Sequence, residues 1–401
     1  MSALPPQLLG AAPAVRRTGA AAGWPTAWSV ALVTVLTSMP VFLPGAVGAL
    51  IDRETGWSTG RLGIVMAVFW AGSLFGAQAS RRTAVPLSAD RVVAVAVLGA
   101  GLGLGCDAVV RGVGLYAGSA FGGVAYGFSQ PHTNFLLMRR CSQSIQGLAA
   151  GLKQAAVPVA TLLCSLSVPL LARPLGWRPV FLIAAGLCLV GGVLLLLVSG
   201  RGGRRGSVAT ARRLRLGPQL AALAGAGLFG AMVGNSLGGF LIVSLSDDGV
   251  GLRTAGMVAA AASALNVLVR MGAGRATDRN WAGPRKLLAA MFTAGVVGTA
   301  LLGCGLRPAV LPGALLASAG GWGWAGLLHY VAGRSYPGQE NQATAVTQTG
   351  VSLGAMLGPL GFGWVYAGSP AGAWALMSGA GLCALAAVLA ATRWRPHRSR
   401  P

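Results

Sequence analysis

Two basic side chains, Lys153 and Arg270, lie inside apolar stretches in which no acidic residue is close in sequence. Arginine offers a planar fork that takes a carboxylate through two hydrogen bonds, and lysine offers a point charge. Two such cations without an acidic partner call for an anionic ligand. Asn266 lies one turn before Arg270 and so on the same helical face. Gln154 follows Lys153, and Asn134, Asn235, His329 and Gln348 occupy neighbouring apolar stretches. These eight residues form the candidate binding set. His329 is also a candidate proton carrier, because histidine titrates near neutral pH. A plainer reading has the polar groups bridging helices and the two cations snorkelling to the inner interface.

The acids are informative by their placement. Of the eight carboxylates, Asp52, Glu54, Asp247 and Asp248 fall outside the apolar stretches on one side, and Asp90, Asp278 and Glu340 on the other. Asp107 stands near the outer rim, where a one-turn ion pair with Arg111 accounts for it. With no acid in the core, a coupled proton would have to ride on a histidine or on the substrate. No nucleophile–base–acid set, metal-ligand cluster or phosphate loop stands out. The sequence therefore reads as neither an enzyme nor a cofactor protein.

These residues must be positioned by membrane helices. The chain is 54% hydrophobic and 10% charged, where a soluble protein carries about a quarter charged residues. Apolar stretches of roughly 20 residues, long enough to cross a bilayer, recur throughout. The first half predicts helices over 27–51, 62–79, 92–110, 113–138, 147–172 and 177–198. The second predicts 220–245, 254–273, 287–306, 310–332, 343–366 and 373–391. The expected fold is all-α and polytopic, with twelve transmembrane helices in two pseudo-symmetric six-helix bundles. Its expected divisions are an N-terminal tail (1–23), a first bundle (24–199), a basic connector (200–217), a second bundle (218–392) and a C-terminal tail (393–401).

Charge placement sets the orientation. On the side of the tails and the connector fall 22 of the 31 basic residues. The positive-inside bias then puts both termini in the cytoplasm and the protein in the plasma (inner) membrane. It also explains the net charge of +23 without a nucleic-acid partner. The six cysteines are scattered through apolar runs and read as small apolar fillers.

The halves repeat one grammar. Gly274-Arg-Ala-Thr-Asp278-Arg279 follows the eighth predicted helix, and Gly76-Ala-Gln-Ala-Ser80-Arg81 follows the second, about 198 residues earlier. Twelve helices, the basic connector and this loop in each half resemble the major facilitator superfamily, over about Trp24 to Trp394. The first copy has Ser80 where that family has aspartate. The resemblance implies alternating access, with Gly274, Asp278 and Arg279, and in the first copy Gly76 and Arg81, as a cytoplasmic gating latch. Gly56-Trp57-Ser58 with Arg61-Leu62-Gly63, and Arg270 ahead of Gly274, look like the cyanate-permease-like branch and the oxalate and monocarboxylate exchangers. Their lysine on the eleventh helix is absent here, with Gln348 and Thr349 in that region. The expected activity is secondary transport of a small organic or inorganic anion by a monomer in the lipid bilayer, with possible proton or exchange coupling. Efflux of a lipophilic drug or metabolite is the alternative. Pro158 and Gly350, Gly354, Gly358, Pro359 and Gly361 suit close packing and bending of the fifth and eleventh helices. Trp70, Trp322 and Trp324 are candidates to line the cavity.

Overall fold

The computed structural model describes residues 23–82, 87–110, 112–199, 216–279, 283–337 and 339–393. The tails and most of the connector lie outside them. Fifteen helices follow in order: α1 (Trp24–Ala46), α2 (Gly48–Thr55), α3 (Thr59–Arg82), α4 (Ala89–Val109), α5 (Gly114–Arg140), α6 (Gln143–Ser167), α7 (Arg173–Leu175), α8 (Trp177–Val198), α9 (Pro218–Asp247), α10 (Leu252–Asp278), α11 (Pro284–Gly303), α12 (Arg307–Leu316), α13 (Ala325–Ser335), α14 (Glu340–Tyr366) and α15 (Pro370–Arg393). Among the described residues nine are long and apolar enough to cross a membrane. With α5, α14 and the broken pair α12–α13 they make twelve spans. Large apolar side chains face outward, among them Leu197, Val198 and Trp364, the surface a helical membrane protein offers to lipid.

The start of α1 and the end of α15 define the terminal end of the bundles; the opposite end is the far end. The far-end turns are closed by Gly56, Gly112, Gly176, Gly249 and Gly305, all with positive φ, the left-handed region a side chain rarely enters. Within the first half, glycines weld α3 to α5. A Cβ at Gly127 would lie 1.9 Å from the Ser73 carbonyl oxygen, and one at Gly76 2.2 Å from that of Val124. In the second half α14 sits on α9 in the same manner, Gly350 against Ala224 and Gly354 against Leu228. This is the close packing expected of the α14 glycines.

Three local expectations need correction. The first span breaks at Val47, where Pro40 and Pro44 have removed backbone donors. The tenth span breaks into α12, a π turn over Ala317–Gly321, and α13. Finally, Gly76–Arg81 and Gly274–Asp278 are not loops; they are the last turns of α3 and α10.

The halves meet mainly toward the far end. Gly45 of α1 rests on Gly239 of α9, Gly63 of α3 on Pro359 and Gly363 of α14, and Gly256 of α10 on Ser165 and Pro169 beyond α6. Toward the terminal end the α6 and α10 glycines Gly147, Gly151, Gly272 and Gly274 have open space where a Cβ would stand. The described conformation is thus closed at the far end.

Candidate functional site

The broken tenth span explains Arg270. A π turn frees carbonyl groups from the helical ladder, and in a membrane protein these need donors. Asn266 Nδ2 donates to the Ser318 carbonyl at 2.6 Å, and Arg270 Nη2 donates to that of Trp322 at 2.7 Å. Arg270 Nε donates to Asn266 Oδ1 at 2.8 Å. Arg270 Nη1 crosses to the other half and donates to the Gln154 carbonyl of α6 at 2.9 Å. The guanidinium therefore ties the break to the opposite bundle. It has five N–H groups, and these three bonds leave two of them over.

Lys153, next to Gln154, is buried. Its ammonium turns to α5, donating to Thr133 Oγ1 at 2.9 Å and Asn134 Oδ1 at 2.6 Å. Both partners are neutral. The snorkelling expected of a cation near a helix end is not what either residue does. Neither is in an ion pair with a described carboxylate; among the described residues Arg140 pairs with Asp90 and Arg178 with Glu54.

The other predicted residues divide. Gln154 contributes its carbonyl, and Asn134 and Gln348 are exposed on the walls of α5 and α14. His329 Nδ1 lies 3.1 Å from Thr347 Oγ1, a satisfied histidine between α13 and α14. Asn235 is turned away, its amide spent on the Ala231 carbonyl of its own helix. Trp322 reaches the interface, 5.4 Å from Phe42 of α1. Trp324 does not: it is buried beside Phe292 and donates to the Gly321 carbonyl. Trp70 packs against Phe69 and Tyr126 within the first half. Of the latch residues, Gly76 is a packing residue of the α3–α5 seam, Gly274 faces open space, and Arg279 is exposed. The side chains of Arg81 and Asp278 lie outside the described residues.

Sequence reasoning missed a hydroxyl cluster on the far-end side of Arg270. Thr161 and Ser165 of α6, Ser263 of α10 and Ser318 of the π turn surround a cavity of about 10 Å³ with Trp322, room for about one water. The signal was there: Thr161 and Ser165 stand one turn apart in the mostly apolar run after Gln154. Asp107 stands in the last turn of α4, near the outer rim as expected, but it is 1% exposed, with neither carboxylate oxygen hydrogen-bonded to a described residue; Arg111 lies outside the described residues.

Twelve spans in two halves, with the cationic helices α6 and α10 facing one another, invite comparison with known proteins. The family model described as Major Facilitator Superfamily matches residues 30–223. A D-xylose–proton symporter superposes with a TM-score of 0.75 at 14% identity, over 92% of this chain and 97% of that one. The chain has the major facilitator fold. A bacterial homologue of the human lysosomal transporter Spinster, inward-facing and occupied, gives 0.72 at 16% identity, over 92% and 97%. The nucleoside transporter NupG gives 0.68 at 13% identity, over 92% and 99%. No curated protein sequence matches the chain. The family matched and the superposed structures are those of transporters, not enzymes.

Proposed function

We propose that the chain is a secondary transporter of the major facilitator superfamily. It moves a small organic or inorganic anion by alternating access of its two halves. The observation that carries this is the pair of cations on facing helices, Lys153 on α6 and Arg270 on α10, bonded among the described residues only to neutral groups. A cation in a membrane core without an acidic partner is costly, and an anionic substrate offsets that cost. Arg270 has two N–H groups left over, and on its far-end side Ser263 and Ser318 line a small cavity. The described state is closed at the far end. Under the positive-inside reading, that is the cytoplasm-facing state of a monomer in the plasma membrane. Efflux of a lipophilic compound lacks the support that snorkelling cations would have given it.

The test is uptake of a panel of labelled small anions into proteoliposomes by wild type, Arg270→Gln and Lys153→Gln. Saturable uptake that collapses in Lys153→Gln, while that variant keeps its thermal midpoint, supports the reading. No anion carried by wild type, or full transport by both variants, ends it.

A further inference from the structure

Asp107 occupies a place that the anion site does not use. It lies in the last turn of α4 and lines a far-end pocket of about 260 Å³, with Glu54, Trp57, Trp177 and Arg178 around it. The side chain is 1% exposed and neither oxygen has a hydrogen-bond partner. Its resting place is the bare Cα of Gly118 on α5. A Cβ there would stand 2.1 Å from Asp107 Oδ1 and 2.4 Å from the Gly103 carbonyl oxygen. Glycine at 118 therefore makes the room that the carboxyl fills.

Among the described residues, the groups facing this carboxyl do not neutralise it. From α2 comes Glu54; from α8 come Arg178 and Trp177. Arg178 is held by Glu54 and lies 4.5 Å from the Trp177 ring centroid, and the Trp177 N–H donates to Glu54 at 2.5 Å. On α4 itself, Cys106 Sγ faces the Gly114 carbonyl. An ionised carboxylate without donors in such surroundings costs several kcal/mol, whereas the acid form is far cheaper to bury. The described state is therefore that of the neutral acid. The pocket it lines is the side from which a proton would arrive and leave.

We infer that Asp107 is a proton-binding site of the first bundle, loaded from the far end and separate from the Lys153–Arg270 pair. The step is the reversible addition of one proton to the carboxylate. The far-end closure at Gly45, Gly63 and Gly256 is made without it, so the proton has its own entrance.

The test uses the full chain in proteoliposomes with dicyclohexylcarbodiimide, an apolar reagent that attacks protonated carboxyls, and peptide mapping by mass spectrometry. Asp107 is expected to be modified at acidic pH and progressively less as pH rises. Infrared difference spectra across the same pH step are expected to contain a protonated-carboxyl band that Asp107→Asn removes. In Arg111→Gln the labelling profile is expected to stay as in wild type. No labelling of Asp107 at any pH, labelling that does not change with pH, or labelling that appears only in Arg111→Gln would each overturn the inference. The last would show a permanent ion pair with Arg111.

Discussion

The two halves follow the same plan and treat their buried cation in opposite ways. Lys153 is answered inside its own bundle, by Thr133 and Asn134 of α5. Arg270 holds its own bundle's broken span through Trp322 and also reaches across to Gln154. The glycines of the repeated motif differ likewise: Gly76 is wedged against the Val124 carbonyl, and a Cβ at Gly274 would meet no described atom within 4 Å. A duplicated sequence thus yields a rigid element in one half and a free helix end in the other.

The largest effect is expected at Arg270. Arg270→Met strips the Trp322 and Gln154 carbonyls and Asn266 of their donor. Hydrogen bonds to a charged group contribute about 1.5–3 kcal/mol each, so thermal unfolding in detergent is expected well below wild type. Lys153→Met removes a cation whose desolvation already opposes its bonds. Its stability is expected to stay within about 1 kcal/mol of wild type, with anion uptake lost. Equal destabilisation by the two substitutions would break the contrast between the halves.

Next in size are the motif glycines. Gly76→Ala pushes a methyl into backbone and is expected to cost about 1–3 kcal/mol. Gly274→Ala meets open space within a helix and is expected to be neutral or to gain up to about 1 kcal/mol. Paired denaturation curves decide it, and a loss at Gly274 would show a hidden contact there.

The smallest effects concern the far-end acids. Glu54→Gln removes an ion pair open to solvent and is expected to cost under about 1 kcal/mol, read from the thermal midpoint. In the second half, burial and then the charge of Asp247 push the Asp248 carboxyl above its usual range. A raised carboxyl favours the fold while protonated and loses that contribution as pH rises through its folded value. Asp248→Asn is therefore expected to match wild type in acid and to exceed it slightly toward neutral pH. The reverse order would place a stabilising partner on Asp248.

The spans, their pairing into halves and the packing glycines of α14 were legible in the sequence, because hydropathy and small-residue spacing are local signals. The break after Leu316 was not. Ala-Ser-Ala-Gly-Gly reads as ordinary membrane helix, and the donors that permit the π turn come from Asn266 and Arg270, some 50 residues away. The partners of Lys153 were named only as separate candidates or, for Thr133, not at all, since a contact between α5 and α6 leaves no periodic trace. The place of Asp107 near a helix end was legible; its burial was not, because that depends on α5 and on the absence of a side chain at Gly118. Asn235 shows the converse error: a polar residue at the right depth spends its amide on its own backbone.

The left-handed glycines of the far-end turns have a practical side. Turns such as Gly56, Gly176 and Gly305 join consecutive helices with almost no spare chain. An epitope tag or fluorescent reporter spliced there would have to pry two spans apart. A binder raised against that face would meet little more than turn backbone and helix tips.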